Sequence, residues 1–173
     1  MLNDIYLAAG CFWGVQKYFK SVPGIVATAV GYANGRDCSK APTYEEVYTG
    51  TTGFAETLHI VYDPYYIELR EILDLFAEII DPTSLNRQGD DAGTHYRTGI
   101  FYQDPEDEAI IVAFLADLQS KYDTPIVVQN LPLTCFYRGE EHHQHYLDKN
   151  PGGYCHIPEE KFNNTNTNRA DRA

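Results

Sequence analysis

The sequence predicts an α+β fold in two layers, with helices packed against one sheet. Three observations predict it. Apolar segments of strand and helix period alternate along the chain, Gly, Pro and Asx residues punctuate them, and the second and third strands follow each other with only a loop and a short helix between them. Residues 4–9 read as a short buried strand ended by Gly10. Phe12, Val15 and Phe19 form one stripe of a helix over 12–21, stopped by Pro23-Gly24. Residues 25–32, rich in Val, Ala and Thr, make a second strand, and 33–43 a polar loop. Thr43-Tyr44-Glu45-Glu46 fits a capping box that opens a short helix. Residues 55–62 are a third strand, closed by Asp63-Pro64. Leu69, Ile72, Leu73, Phe76, Ile79 and Ile80 mark an amphipathic helix ended by Asp81-Pro82. A polar loop over 83–97 leads to a fourth strand at 100–102. Asp104-Pro105 starts a helix reaching about Tyr122, and 126–131 form a fifth strand. After Glu140 a short His-rich helix precedes a Pro/Gly segment. The order β-α-β-β-α-β followed by α-β matches a ferredoxin-like mixed sheet with an additional αβ unit and a long coiled C-terminal segment. A doubly wound α/β sheet is the alternative, and the short connection between the second and third strands disfavours it.

The chain of 173 residues is one domain's worth of sequence, and 43% hydrophobic against 22% charged residues is enough to build a core. The expected domain is 1–162, with 163–173 a disordered polar tail or the start of a linker. Thirteen Lys and Arg against twenty-five Asp and Glu give a net charge of -12, which argues against nucleic acid and anionic membranes as partners. No apolar run approaches the roughly 18 residues of a membrane span, and the N-terminus lacks the basic start of a secretory signal, so a cytoplasmic protein is expected.

Four cysteines, Cys11, Cys38, Cys135 and Cys155, contain no C-x-x-C pair and are too sparse for a disulfide scaffold. In a reducing compartment each is by default a small buried hydrophobe, and Cys135 beside Phe136 reads as core. Cys11 differs. It sits in Gly10-Cys11-Phe12-Trp13-Gly14, where a strand ends and a helix begins. Unpaired N–H groups and the helix dipole favour a thiolate there. Phe12 and Trp13 offer an aromatic wall for a soft or methyl-bearing group. Glu56 continues the face of Leu58, Ile60 and Tyr62, where desolvation would keep its carboxyl protonated as a general acid. Tyr44 and Tyr96 are the phenols best placed to bind an oxyanion, while Asp90-Asp91 reads as a solvated turn. Cys155 follows Gly152-Gly153 on a flexible segment, which suits a resolving thiol, and Cys38 is a weaker candidate for that role. His142, His143 and His145 lack suitably spaced further ligands, so a surface or substrate-rim position is expected and no metal or other cofactor.

These motifs resemble the A-type peptide methionine sulfoxide reductases. The resemblance runs over about residues 4–158 and rests on an ordered set: Gly10 to Gly14, Gly31-Tyr32, Pro42 to Val47, Thr52 to Glu56, Asp81-Pro82-Thr83, Arg87 to Arg97, and His143 to Leu147. It implies that Cys11 attacks the sulfoxide sulfur, that Glu56 protonates the oxygen, and that Tyr44 and Tyr96 hydrogen-bond it with Asp91 at the same site. Phe12 and Trp13 would receive the methyl group. Cys155 would convert the resulting sulfenic acid on Cys11 into a disulfide that a thioredoxin-like donor reduces. The implied substrates are the S epimer of methionine sulfoxide in oxidised proteins or free, with a B-type reductase as a fused or separate companion. Phe54, Asp90, His95 and Gln16 depart from the family's usual His, Asn, Gln and Glu. A thiol peroxidase using the same two cysteines, or a non-enzymatic module that holds a methionine-like side chain, are the competing readings.

Overall fold

The structure, a computed structural model, describes residues 1–163. The elements run β1 (Asn3–Ala9), α1 (Phe12–Phe19), β2 (Ile25–Ala33), α2 (Tyr44–Tyr48), β3 (Ala55–Tyr62), α3 (Leu69–Glu78), β4 (Arg87–Gln88), β5 (Asp91–Ala92), β6 (Thr98–Tyr102), α4 (Asp107–Gln119), β7 (Gln129–Pro132), β8 (Phe136–Arg138) and α5 (Tyr146–Lys149). The architecture is a mixed α+β fold around a six-stranded sheet of order β7-β6-β1-β3-β2-β8, with β4 and β5 as a separate small hairpin. Every pairing in the large sheet is antiparallel except β6 with β7.

The pleat explains the layers. Ile5, Leu7 and Ala9 of β1 and Leu58, Ile60 and Tyr62 of β3 point to one face and join a buried core with Phe12, Val15 and Phe19 of α1, Ile72, Leu73 and Phe76 of α3, and Ile111 and Phe114 of α4. Each such side chain, fully buried, contributes about 1.5–3 kcal/mol. The opposite face carries a smaller cluster of Tyr6, Ala8, Ala33, Ala55 and Phe101, against which Phe136 packs. There His59 stacks on Tyr6 with ring centroids 4.3 Å apart.

Local signals hold where the chain supplies its own hydrogen bonds. Thr43 caps α2, its hydroxyl oxygen accepting from the Glu46 amide at 3.2 Å. Three elements differ from expectation. The fifth strand begins at Gln129 rather than 126, because the Ile126 amide donates to the Gln119 side chain and the Val127 amide to the Pro82 carbonyl. The 83–97 loop contains the β4–β5 hairpin and a 3-10 turn at Thr94–Tyr96. Residues 136–138 form an unexpected edge strand, too short to show a period.

That edge strand overturns the reading of two cysteines. Pairing of β8 with β2 brings Cys135 against the 33–43 loop, and Cys135 is bonded to Cys38 in a disulfide instead of lying free in the core. Cys38 is therefore no candidate resolving thiol in this state. Cys11 and Cys155 are free. The crosslink spans a sequence separation of 97 residues. Cys38→Ser is expected to lower stability by about 2–5 kcal/mol, since the unfolded chain regains the entropy of a long loop. Denaturant midpoints with and without reductant would check this, because the difference between variant and parent must vanish once both are reduced. Asn163 closes the described part of the chain, and the rest of the expected tail lies outside it. Among the described residues, no helix is long and apolar enough to cross a membrane.

Candidate active site

The turn from β1 into α1 builds the site. Gly10 has φ +85°, and a Cβ there would lie 2.8 Å from Gln88 Cβ and 3.1 Å from His156 Nε2. Only glycine lets the chain turn this sharply under the β4–β5 hairpin. Cys11 follows as the N-cap of α1 and is 6% exposed. Glu56, one residue into β3, is 1% exposed and accepts the Phe12 amide through Oε1 at 3.2 Å. The thiol and the carboxyl therefore lie near each other, both buried, at the start of α1.

Their electrostatics differ from the expected split. Burial raises Glu56 from its ordinary 4.5 to about 8, only partly opposed by the Phe12 amide. The same desolvation pushes the Cys11 thiol well above its ordinary value, the Glu56 charge adds to the rise, and the Trp13 amide opposes it. The Trp13 amide acts on the sulfur without forming a full capping hydrogen bond, so the helix terminus does not outweigh burial. At neutral pH the resting site holds a neutral thiol beside a neutral acid, not a preformed thiolate.

Tyr44, at the start of α2, and Tyr96, in the 3-10 turn, complete the polar rim. Burial first, then Glu56 and Cys11, hold both phenols above their ordinary value, so both remain O–H donors. Asp91 on β5 acts electrostatically on both Cys11 and Glu56. It is half-buried rather than a solvated turn residue, its Oδ2 has no hydrogen-bond partner among the described residues, and burial raises its pKa against His156 and a hydrogen bond from Tyr154. Cys155 packs beside α1, its Sγ 2.9 Å from where a Gly14 Cβ would stand, and its thiol points to the Ile157 carbonyl at 3.6 Å.

The aromatic wall is fixed from the C-terminal segment. Trp13 stacks on Tyr146 at 3.9 Å and donates its indole N–H to His143 Nδ1 at 3.1 Å. His143 lies 4.4 Å from the Tyr44 ring and 5.6 Å from Phe12, centroid to centroid. Burial lowers its pKa, so the ring is neutral and part of the apolar cage. His143 thus lies deeper than the rim position expected of it, whereas His142 and His145 are exposed.

Reasoning from sequence missed three supports. Glu140 accepts the Tyr32 hydroxyl at 2.7 Å and the Tyr44 amide at 3.0 Å, tying α2 to the sheet. Gln144, almost fully buried, pairs with Val30 as a strand would, accepting its amide at 3.0 Å and donating to its carbonyl at 2.9 Å. His156 donates to the Ala9 carbonyl at 3.0 Å. For Glu140 and Gln144 the partners lie about a hundred residues away, and no local pattern signals them. His156 had one available signal, its place next to Cys155.

The model of the peptide methionine sulfoxide reductase family matches residues 3–172. The chain belongs to that family. Among its relatives, the enzyme MsrA of Clostridium botulinum strain Okra is 55% identical over 156 residues, covering 90% of this chain and 98% of that protein. MsrA of Clostridium acetobutylicum is 52% identical over 159 residues, covering 92% and 97%. Among solved structures, reduced Mxr1 from Saccharomyces cerevisiae superposes with a TM-score of 0.82 at 42% identity, over 89% of this chain and 88% of that one. Methionine sulfoxide reductase A of Corynebacterium diphtheriae gives 0.79 at 36% identity, over 91% and 84%.

Three of the four departures from the usual family pattern have defined local surroundings, and nothing in the structure explains Asp90. Gln16 is buried in α1, and its amide both donates to Thr28 Oγ1 at 3.2 Å and accepts the His145 amide at 2.7 Å, a pairing of roles that an ionised Glu cannot fill. The His95 ring lies tilted against that of Tyr96 with centroids 4.0 Å apart, and burial lowers its pKa, so it adds no charge beside that phenol. Phe54 packs in the core.

Proposed function

We propose that this family member, an enzyme, reduces the S epimer of methionine sulfoxide, in peptides or free, to methionine, with thiols as the source of electrons. One observation carries the reading: Cys11 and Glu56 are both buried, and Glu56 holds the amide of Phe12, the residue next to Cys11. A sulfoxide oxygen leaves only when protonated, so nucleophile and acid must stand side by side. Glu56 supplies the proton to the oxygen, Tyr44 and Tyr96 steady it with their O–H groups, and Asp91 completes the polar side. The methyl group rests against Phe12 and Trp13. Because Cys11 is neutral at rest, its proton leaves as the sulfur attacks and returns to the carboxylate that Glu56 has become. The net change moves one oxygen from the substrate sulfur to Cys11, giving methionine and a sulfenic acid with no change in proton count.

Cys155 then forms a disulfide with Cys11 and releases water. A thioredoxin-type donor closes the cycle. That partner is supported by the relative Mxr1, solved in complex with Trx2 and superposing with a TM-score of 0.60 at 31% identity. A cytoplasmic location fits such a donor, and a B-type reductase would serve the other epimer. The all-antiparallel order β6-β1-β3-β2 supports a ferredoxin-like core for the sheet, and 1–162 serves as the working domain.

The test is a racemic methionine sulfoxide peptide with dithiothreitol. One epimer is consumed, and peroxide is not turned over at a comparable rate. Equal loss of both epimers, or faster peroxide turnover, favours the peroxidase instead. Cys155→Ser is expected to complete about one turnover with thioredoxin and to keep cycling with dithiothreitol, which reaches the sulfenic acid directly. Sustained thioredoxin-driven cycling in that variant would remove Cys155 from the resolving role.

A further inference from the structure

We infer that His156 is the general base of the resolving step, taking the proton of Cys155 through Nδ1 as that thiol attacks the sulfenic acid on Cys11. The inference rests on the proposed Cys11–Cys155 cycle and goes beyond it.

The tautomer of His156 is set by the fold. Its Nε2 lies 3.0 Å from the Ala9 carbonyl. A carbonyl only accepts, so Nε2 carries the hydrogen and Nδ1 of the neutral ring keeps a free lone pair. Nδ1 is buried and has no hydrogen-bond partner among the described residues. A buried acceptor left unpaired is costly, and such a group calls for a role. The position of Nδ1 suggests one. A Cβ on Gly14 would stand 2.9 Å from Cys155 Sγ and 3.6 Å from His156 Nδ1. Sulfur and lone pair therefore lie over the same bare spot on α1, the helix whose N-cap is Cys11, and the thiol, which at rest points to the Ile157 carbonyl at 3.6 Å, turns from it to reach Nδ1. The missing side chain at Gly14 gives both of them room.

The ring is also held in a state suited to accept a proton. Burial lowers its pKa, keeping it neutral, while the Ala9 hydrogen bond and Asp91 pull the other way. Asp91 faces the ring from β5, Cys155 is its chain neighbour, and Cys11 lies at the head of the helix beneath it. As the proton arrives, the Asp91 charge stabilises the imidazolium.

The step balances. The sulfur of Cys155 forms a bond to the sulfur of Cys11, and the Cys11 S–O bond breaks. The Cys155 proton passes to Nδ1 and then to the departing hydroxide, which leaves as water. Cys155 is oxidised and the Cys11 sulfenic acid reduced to the disulfide, with no outside reductant.

The experiment mixes reduced full-length protein with a methionine sulfoxide peptide in the absence of reductant. It follows two signals by quenching and alkylation: methionine released, and free thiol lost into a Cys11–Cys155 disulfide located by mass spectrometry. His156→Gln keeps a donor for the Ala9 carbonyl and removes the base. Its methionine burst should stay within about threefold of the parent, reporting a folded first-step site. Disulfide formation should slow by at least about a hundredfold at pH 7, within the range for lost base catalysis. The deficit should shrink as pH rises and hydroxide takes over as the base, and added imidazole should restore part of the rate. If the Gln variant does not fold, His156→Asn is read by the same two signals. Disulfide formation near the parental rate at pH 7 would overturn the inference. So would a deficit equal at every pH from 6 to 9 without imidazole rescue, the mark of a structural role. If the parent protein itself forms no Cys11–Cys155 disulfide, the cycle of the previous section fails, and this inference with it.

Discussion

Cys11→Ser is expected to release no methionine from a sulfoxide peptide above the enzyme-free background, with the fold intact. Sulfur is the soft atom that can receive oxygen and be returned by thiols, and a hydroxyl at the same place has no comparable chemistry. The structure separates this loss from misfolding. Cys11 is the N-cap of α1 and makes no capping hydrogen bond. Serine is among the preferred residues at that position, and a gained cap contributes about 0.5–2 kcal/mol. The inactive variant should therefore melt at or above the temperature of the parent. Product formation by Cys11→Ser with either thioredoxin or dithiothreitol would contradict the assignment of the nucleophile. Inactivity together with a lowered melting temperature would instead point to damage of the site.

Glu56→Gln should slow sulfoxide reduction by roughly 10²–10⁴-fold, the range for a lost general acid. The amide keeps an oxygen for the Phe12 amide and cannot deliver the proton. The pH dependence is equally diagnostic. Because Glu56 titrates at about 8, the acid is present below that pH and lost above it, so the parent's reduction step should decline as pH rises past 8. The variant should lack that decline. Stability also falls with rising pH, but over a lower range. The folded protein retains a proton on Glu56 that the unfolded chain releases from its ordinary 4.5 upward, so the parent loses stability as pH rises from about 4.5 to 8. The Gln variant escapes this loss and should be about 1–3 kcal/mol more stable near pH 7, since each tenfold change in proton affinity is worth about 1.4 kcal/mol. Single-turnover rates and denaturant titrations at pH 5, 7 and 9 measure both effects. An unchanged reduction rate would remove Glu56 from the chemistry, and a variant that loses stability between pH 5 and 7 as steeply as the parent would contradict the buried neutral acid.

Much of this was legible along the chain because it depends on neighbours in sequence. The β3 strand at 55–62 and the α3 stripe of Leu69, Ile72, Leu73 and Phe76 follow from periods of two and 3.6 residues, and Thr43 announces its own cap. Cys11 at a strand-to-helix turn and Glu56 on an apolar strand face are likewise local patterns. The ionisation of Cys11 was not legible. A helix N-terminus predicts a lowered pKa, but how far burial and the Glu56 charge outweigh it depends on packing from β3, a segment distant along the chain. The Cys38–Cys135 disulfide was hidden for a related reason: it needs β8 beside β2, and three residues of edge strand carry no period.

Residue type and periodicity are properties of short stretches, so the chain read alone proposed which side chains would do the chemistry and placed Cys11, Tyr44 and Glu56 on their elements. Their protonation, the pairing of the cysteines and the supporting contacts of His143, Glu140 and His156 came only with packing. Those depend on desolvation and on hydrogen bonds closed between distant segments, and both exist only once the β1–α1 turn is covered by β3, the β4–β5 hairpin and the C-terminal coil.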